Sequence, residues 1–292
     1  MLLRNLALTA LVVTAGCSSD PVPRTISLPK PVEWVADGRP DVIVGRSQGA
    51  EGQFAVECSL DHVAPDDPIV HAGHPGFSHL HQFFGAVGVD AATSNEQLMN
   101  AATTCDQQRD RAAHWSPTLV SNGESVTADR MVASYRAGPG VDPSTVDVFP
   151  PGFMMIGGDA RARAVQPIEV VSWSCGATLD RAALPMDCAA SGTLRLNVVF
   201  PDCWDGSLIV AIPGHRHVSY SSGGQCPVGY EVSIPQLHLA FDFPAVDPTD
   251  LAMSSGDVIT AHAEFWNGWD PDTLEREVRR CINQNRACSV LS

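Results

Sequence analysis

Apolar and polar residues alternate with a period of two along much of this chain, the pattern of strands with one buried face. In Leu194-Arg-Leu-Asn-Val-Val-Phe200 the residues Leu194, Leu196, Val198 and Phe200 share one side. Leu237, Leu239, Phe241 and Phe243 do the same in the next such segment. Val258 to Phe265 also alternates, with Ile259, Ala261, Ala263 and Phe265 inward and Thr260, His262 and Glu264 opposite. Ile168 to Trp173 and Leu208 to Ile212 read as further strands, and Pro or Gly separates nearly all of these segments. Helical spacing is rare. Asp270-Pro271 is an N-cap followed by an N1 proline, after which Leu274, Val278 and Ile282 recur on one face. Ser94 caps a second short helix running to Ala101. The expected fold is mainly β: a single antiparallel β-sandwich or jelly-roll-like domain with few short helices and a C-terminal helix.

Composition narrows the setting. The chain has 292 residues, 44% of them apolar, which is enough for a substantial core and excludes wholesale disorder. With 18 basic and 33 acidic residues the net charge is −15, and Lys30 is the single lysine. Phosphate neutralisation needs clustered Lys and Arg, so no nucleic-acid partner is expected. Arg4 precedes an apolar run from Leu6 to Val13, too short to span a bilayer, and small residues follow. Residues 1–16 therefore read as a lipoprotein signal peptide, and Thr14-Ala15-Gly16-Cys17 resembles a lipobox with Cys17 as the lipidated residue. Residues 17–45 read as a proline-punctuated tether, and 46–292 as one domain. The expected product is an exported cell-envelope lipoprotein, monomeric, touching a membrane through its lipid anchor only.

Removing Cys17 leaves eight cysteines, an even number that in an exported protein reads as a disulfide framework. Pairing in sequence order gives Cys58–Cys105, Cys175–Cys188, Cys203–Cys226 and Cys281–Cys288. There is no CxxC spacing to suggest a thiolate zinc site.

Ten histidines are many for such a chain, and they cluster. His62, His71, His74, His79 and His81 lie close together, His215 and His217 repeat a His-x-His spacing, and His114, His238 and His262 stand alone. In an extended chain residues i and i+2 point the same way, so a His-x-His pair can aim two imidazoles at one cavity. His79 and His81, among Phe77, Leu80, Phe83 and Phe84, form the sharpest pair; His71 and His74 read as a solvated loop. His217 and His262 are further candidates. The catalytic set expected from these residues is His79, His81, His217, His262, Asp205 and Glu264, and the four histidines are also the metal-ligand candidates. A nearby carboxylate would fix an imidazole's tautomer and raise its basicity. Asp202 and Asp159 are weaker candidates. Trp115, Trp204, Trp266 and Trp269 sit beside Gly, Pro, Asn or Asp, in segments that read as loops, and could stack on sugar rings as substrate-binding residues.

The ordered motifs Ser78-His-Leu-His-Gln-Phe-Phe-Gly85, Thr103-Thr-Cys105, Trp115-Ser-Pro-Thr-Leu119, Phe149-Pro-Pro-Gly-Phe-Met-Met155 and Gly157-Gly-Asp159 continue into Phe200-Pro-Asp-Cys-Trp-Asp-Gly206, His217-Val-Ser-Tyr220, Cys226-Pro227 and His262-Ala-Glu-Phe-Trp-Asn-Gly-Trp269. Together, over about residues 66 to 281, they resemble the 1996 family of domains of unknown function. Its members are exported proteins of fungi and bacteria, in some fungi joined to carbohydrate-binding WSC modules. The resemblance implies family motif positions at His79, His81, the Cys203–Gly206 turn, His217 and His262. Where the family has a small residue and then Asp after the last His, this chain has Ala263 and Glu264, and His215 departs from the family spacing.

Three functions fit. The first is an enzyme, a hydrolase or lyase of extracellular polysaccharide, working by histidine acid/base chemistry or through a bound metal. The second is a copper- or zinc-binding protein without turnover. The third is a glycan- or cell-wall-binding module whose histidines are structural.

Overall fold

The computed structural model describes residues 43–44 and 52–288. The signal peptide, Cys17 and most of the tether lie outside the described residues. In chain order the first strands are β1 (Ile43–Val44), β2 (Gln53–Ala64), β3 (His81–Gly85), β4 (Ala113–Pro117), β5 (Leu119–Ser121), β6 (Glu124–Val126), β7 (Arg130–Arg136), β8 (Met154–Gly158) and β9 (Val171–Cys175). They are followed by β10 (Asp180–Arg181), β11 (Thr193–Val199), β12 (Cys203–Trp204), β13 (Val218–Ser219), β14 (Val232–Ser233), β15 (Gln236–Pro244), β16 (Leu251–Met253), β17 (Gly256–Asp257) and β18 (His262–Trp266).

Nine of these strands form one antiparallel sheet in the order β8-β18-β4-β3-β2-β7-β15-β11-β9. It rolls round until its ends nearly meet. A Cβ on Gly158 of β8 would lie 3.1 Å from the Val171 side chain on β9, and one on Gly157 would lie 3.0 Å from Phe200 and Val198. The expected mainly β, antiparallel architecture is present, as a nearly closed barrel-like sheet. Period-2 alternation supplies its inside: Phe54, Val56, Tyr135, Leu194, Leu196, Leu237, Leu239, Phe241, Ala263 and Phe265 belong to one buried cluster.

Over β18, β4 and β3 the outer face is covered as well. Phe83, Trp115 and Trp266 pack there with Leu98 of α1 (Asn95–Met99). Ser94 caps α1 in a capping box with Gln97. At the C-terminus Asp270 caps α2 (Pro271–Glu277), and a π turn over Val278–Ile282 continues it, so Leu274, Val278 and Ile282 all reach the core. All four disulfides pair in sequence order.

Three local expectations need correction. Leu208–Ile212 contains no strand: Asp205 turns the chain there, accepting from the amides of Ser207 and Leu208. Val258–Thr260 is a 3-10 turn capped by Asp257, and the alternating strand starts only at His262. Trp115 and Trp266 lie inside strands β4 and β18, not in loops.

Candidate functional site

The site lies on the outer face of β18, β4 and β3. Register brings its residues level: Glu264 pairs with Trp115, and Trp115 with Phe83. Two positions further along, His262 and His81 fall on either side of Pro117, which pairs with His81. His79, two residues before His81, enters from the loop that covers this face. The His79 and His81 rings are 4.2 Å apart, and the His262 ring is 5.2 Å and 6.0 Å from them.

One ring nitrogen from each of His79, His81 and His262 lies within 4.8 Å of the other two, and atoms of Asp67, His81 and Glu264 form a second such group. The two groups share His81, so they describe one site. Its ring orientations are fixed from behind. His81 Nδ1–H donates to the Asp66 carbonyl at 2.8 Å and His262 Nδ1–H to the Thr260 carbonyl at 2.7 Å. Each ring therefore turns its Nε2 into the site. His262 Nε2 lies 3.1 Å from Glu264 Oε1, and His81 Nε2 is 4.0 Å from Glu264 Oε2. Nε2 of His79, Nε2 of His81 and Oε2 of Glu264 are buried with no hydrogen-bond partner. Buried polar atoms left unpaired are costly, and these three belong to residues of the two groups that share His81, which marks a place suited to a ligand.

The electrostatics agree. Burial, then the neighbouring His262 and His71, pulls His79 down to about 4. Burial, then His79 and His262, holds His81 well below the ordinary imidazole value. Both rings are neutral lone-pair donors at neutral pH. Burial raises Glu264 to about 7 against the attraction of His262. At His262 burial is outweighed by Glu264 and the Thr260 carbonyl, and its affinity for a proton is raised.

His79, His81, His262 and Glu264 thus come together as expected from sequence. His217 and Asp205 do not join them. His217 Nε2–H donates to the Met154 carbonyl at 2.7 Å, and its ring lies against Phe153 at 5.1 Å. Met154 pairs with Trp266 while His262 pairs with Gly158, so His217 sits about 13 Å along the strand from His262. Asp205 is bonded by His215 at 2.8 Å and by the turn amides of Ser207 and Leu208, which with His215 outweigh burial and hold it down to about 2.

The tryptophans do not form a sugar platform either. Trp115, Trp266 and Trp269 are 0, 2 and 1% exposed, and Trp269 donates its indole N–H to the Tyr135 hydroxyl. Trp204 is half-buried, its indole N–H donated to the Leu208 carbonyl. His114 lies wholly inside the barrel core against Phe265, and burial holds it down to about 3. His62 stacks on Phe83 and bonds Asp61.

Asp67 is the site residue that sequence reasoning missed. Its Oδ1 accepts from the amides of Ile69 and Val70, and Asp66 Oδ1 accepts from Gly76. The signal was the Pro65-Asp66-Asp67-Pro68 run where β2 ends and the covering loop begins.

A family model for the domain of unknown function DUF1996 matches residues 67–269, a span that begins at Asp67 and holds every residue of the site. No curated protein and no solved structure matches the chain.

Proposed function

The chain belongs to the family defined by the domain of unknown function DUF1996, and we propose that it holds a divalent transition metal, zinc or copper, on His79, His81 and His262. One observation carries this reading: three ring nitrogens converge to within 4.8 Å of one another. Two of those rings are locked by Nδ1–H bonds to backbone carbonyls. That is the arrangement by which proteins aim Nε2 at a metal, and imidazole suits both ions. Glu264 and Asp67 would supply oxygen ligands, or one of them would stay free to move a proton.

The reaction we assign is hydrolytic or eliminative cleavage of an extracellular polysaccharide. A bound ion there would polarise a substrate oxygen or a water. Glu264, beside His262 and able to carry a proton near neutrality, would serve as acid or base. His79, half-buried at the end of the covering loop, marks the approach from solvent. Four disulfides suit an oxidising compartment outside the cytoplasm, and the signal-like N-terminus with Cys17 supports export and lipid anchorage. A second reading, metal holding without turnover, is favoured by depth: His81, His262 and Glu264 are 0, 1 and 1% exposed.

The test is the metal content of the mature protein exported to an oxidising compartment and purified without chelator or nickel resin. About one equivalent of zinc or copper, lost in His81→Ala, supports the site. A protein that holds neither ion and refuses both when they are added overturns it. Release of sugar ends from polysaccharides by the loaded protein, absent in His81→Ala, separates enzyme from carrier.

A further inference from the structure

The outer face of β7, β15, β11 and β9 gathers positive charge in a chain whose net charge is −15. Register sets Arg136 opposite Gln236, Ser134 opposite His238, Asn197 opposite Ala240, and Arg130 and Arg195 opposite Asp242. Arg181 on β10 joins them, its Nη1 3.4 Å from Ser172 Oγ on β9. This places four arginines against two carboxylates, Glu57 and Asp242. Arg130 bonds both carboxylates and Arg195 bonds Asp242, so both acids are spent on these two residues.

Arg136 and Arg181 are left over. Arg136 donates from Nε and Nη2 to the Gln236 amide oxygen at 3.2 and 3.1 Å, with Asp202 attracting it from further off. No carboxylate among the described residues lies within ion-pair distance of Arg181. Burial, then the charges of Arg136 and Arg195, lowers Arg181 to about 10. His238 lies between their strands. Asn197 donates from Nδ2 to Ser174 Oγ at 3.1 Å, so its Oδ1 accepts from His238 Nε2–H at 3.0 Å, and His238 Nδ1 keeps its lone pair. Ser134, Ala240 and Ser172 hold the neighbouring positions in register on this sheet.

Half-buried like charges with no carboxylate in ion-pair distance among the described residues are unfavourable on their own. Guanidinium forks match planar oxyanions two bonds at a time. We propose that Arg136 and Arg181, with His238 between them, form a binding site for an oxyanion, a carboxylate or phosphate group of a ligand, on the outer sheet face remote from the histidine site. Binding would also favour the imidazolium form of His238, adding a third donor.

The experiment is calorimetric titration and thermal melting of the full chain with two probes, inorganic phosphate and D-glucuronate, against sodium chloride of equal ionic strength. Wild-type protein should bind a probe and melt higher. Arg181→Gln and Arg136→Gln should each weaken binding about tenfold or more, and Arg181→Lys less, while metal content at the histidine site stays the same. The chain also carries Glu33, Asp37 and Asp41 just ahead of β1, which pairs with β10 through Ile43 and Arg181. Carboxylates of the same chemistry could come from there. If the wild type ignores both probes but Glu33→Gln/Asp37→Asn/Asp41→Asn binds them and loses binding with Arg181→Gln, the site stands and its natural occupant is this chain. If neither protein binds a probe beyond the chloride control, or binding survives both arginine substitutions, the proposal is overturned.

Discussion

His262 Nε2 stands 3.1 Å from Glu264 Oε1, two residues apart on one face of β18, and both side chains are almost wholly buried. Extended backbone makes i and i+2 neighbours; the covering loop then removes water from them. The same carboxylate offers its other oxygen to His81 across β4 at 4.0 Å, so Glu264 links the two strands that carry the imidazoles.

Glu264→Gln keeps the shape of the side chain and removes its charge. Zinc or copper affinity should fall ~10–100-fold with little change in Tm. Asp67→Asn should act the same way but more weakly, because its Oδ1 can still accept from Ile69 and Val70. Metal titration by calorimetry checks both. Unchanged affinity in both variants would remove the carboxylates from the site.

His217→Ala should leave metal content unchanged, since that ring serves Met154 and Phe153. Losing the buried hydrogen bond should cost about 1–3 kcal/mol of stability, read by urea unfolding. A His217→Ala protein that folds normally and has lost its metal would bring His217 back into the site.

Asp110 gives the chain a pH slope of its own. Burial pushes this carboxyl up to about 8, against the Ala112 amide that bonds it. In the unfolded chain its value is near 3.9. The folded state therefore binds the extra proton between these limits, and the stability tied to it is complete below about pH 4 and lost as pH rises through about 8. Asp110→Asn keeps an acceptor for Ala112 and cannot ionise. It should match the wild type near pH 4 and exceed it at pH 8 by about 1 kcal/mol or more, ~2–4 °C in Tm. Parallel melting curves for the two proteins across pH 4–8 would refute the assignment.

The Cys58–Cys105 bridge closes a segment with a sequence separation of 47 that contains His79 and His81. Replacing both cysteines by alanine should lower stability by about 2–5 kcal/mol. Metal affinity should fall with it, because β2 and the covering loop hold His79 beside His81. Denaturant unfolding and metal titration on the same variant check the two effects together.

Much of the fold was legible because alternation is a local property. Leu194–Phe200 and Leu237–Phe243 show their buried faces in the spelling of the chain, and Asp270-Pro271 shows where the last helix begins. The order of the cysteines proved enough for the disulfides, and the His-x-His spacing singled out His79 and His81, while His262 and Glu264 were candidates beside His217 and Asp205. Sequence failed where the answer depended on a second strand. Trp115 and Trp266 read as loop residues because their neighbours are polar, yet a covering layer over β4 and β18 buries both indoles. His217 and His262 carry equal chemistry on paper. Only the register of β8 against β18 separates them, because pairing fixes position along a strand and spacing in sequence does not. Asp67 became a site residue for the same reason: it lies fourteen positions from His81 in the chain, and the loop that leaves β2 folds back over β3 to bring their atoms within 4.8 Å. Residue chemistry and strand periodicity were thus written locally. Which groups share a cavity was decided by long-range pairing and burial, which no single segment contains.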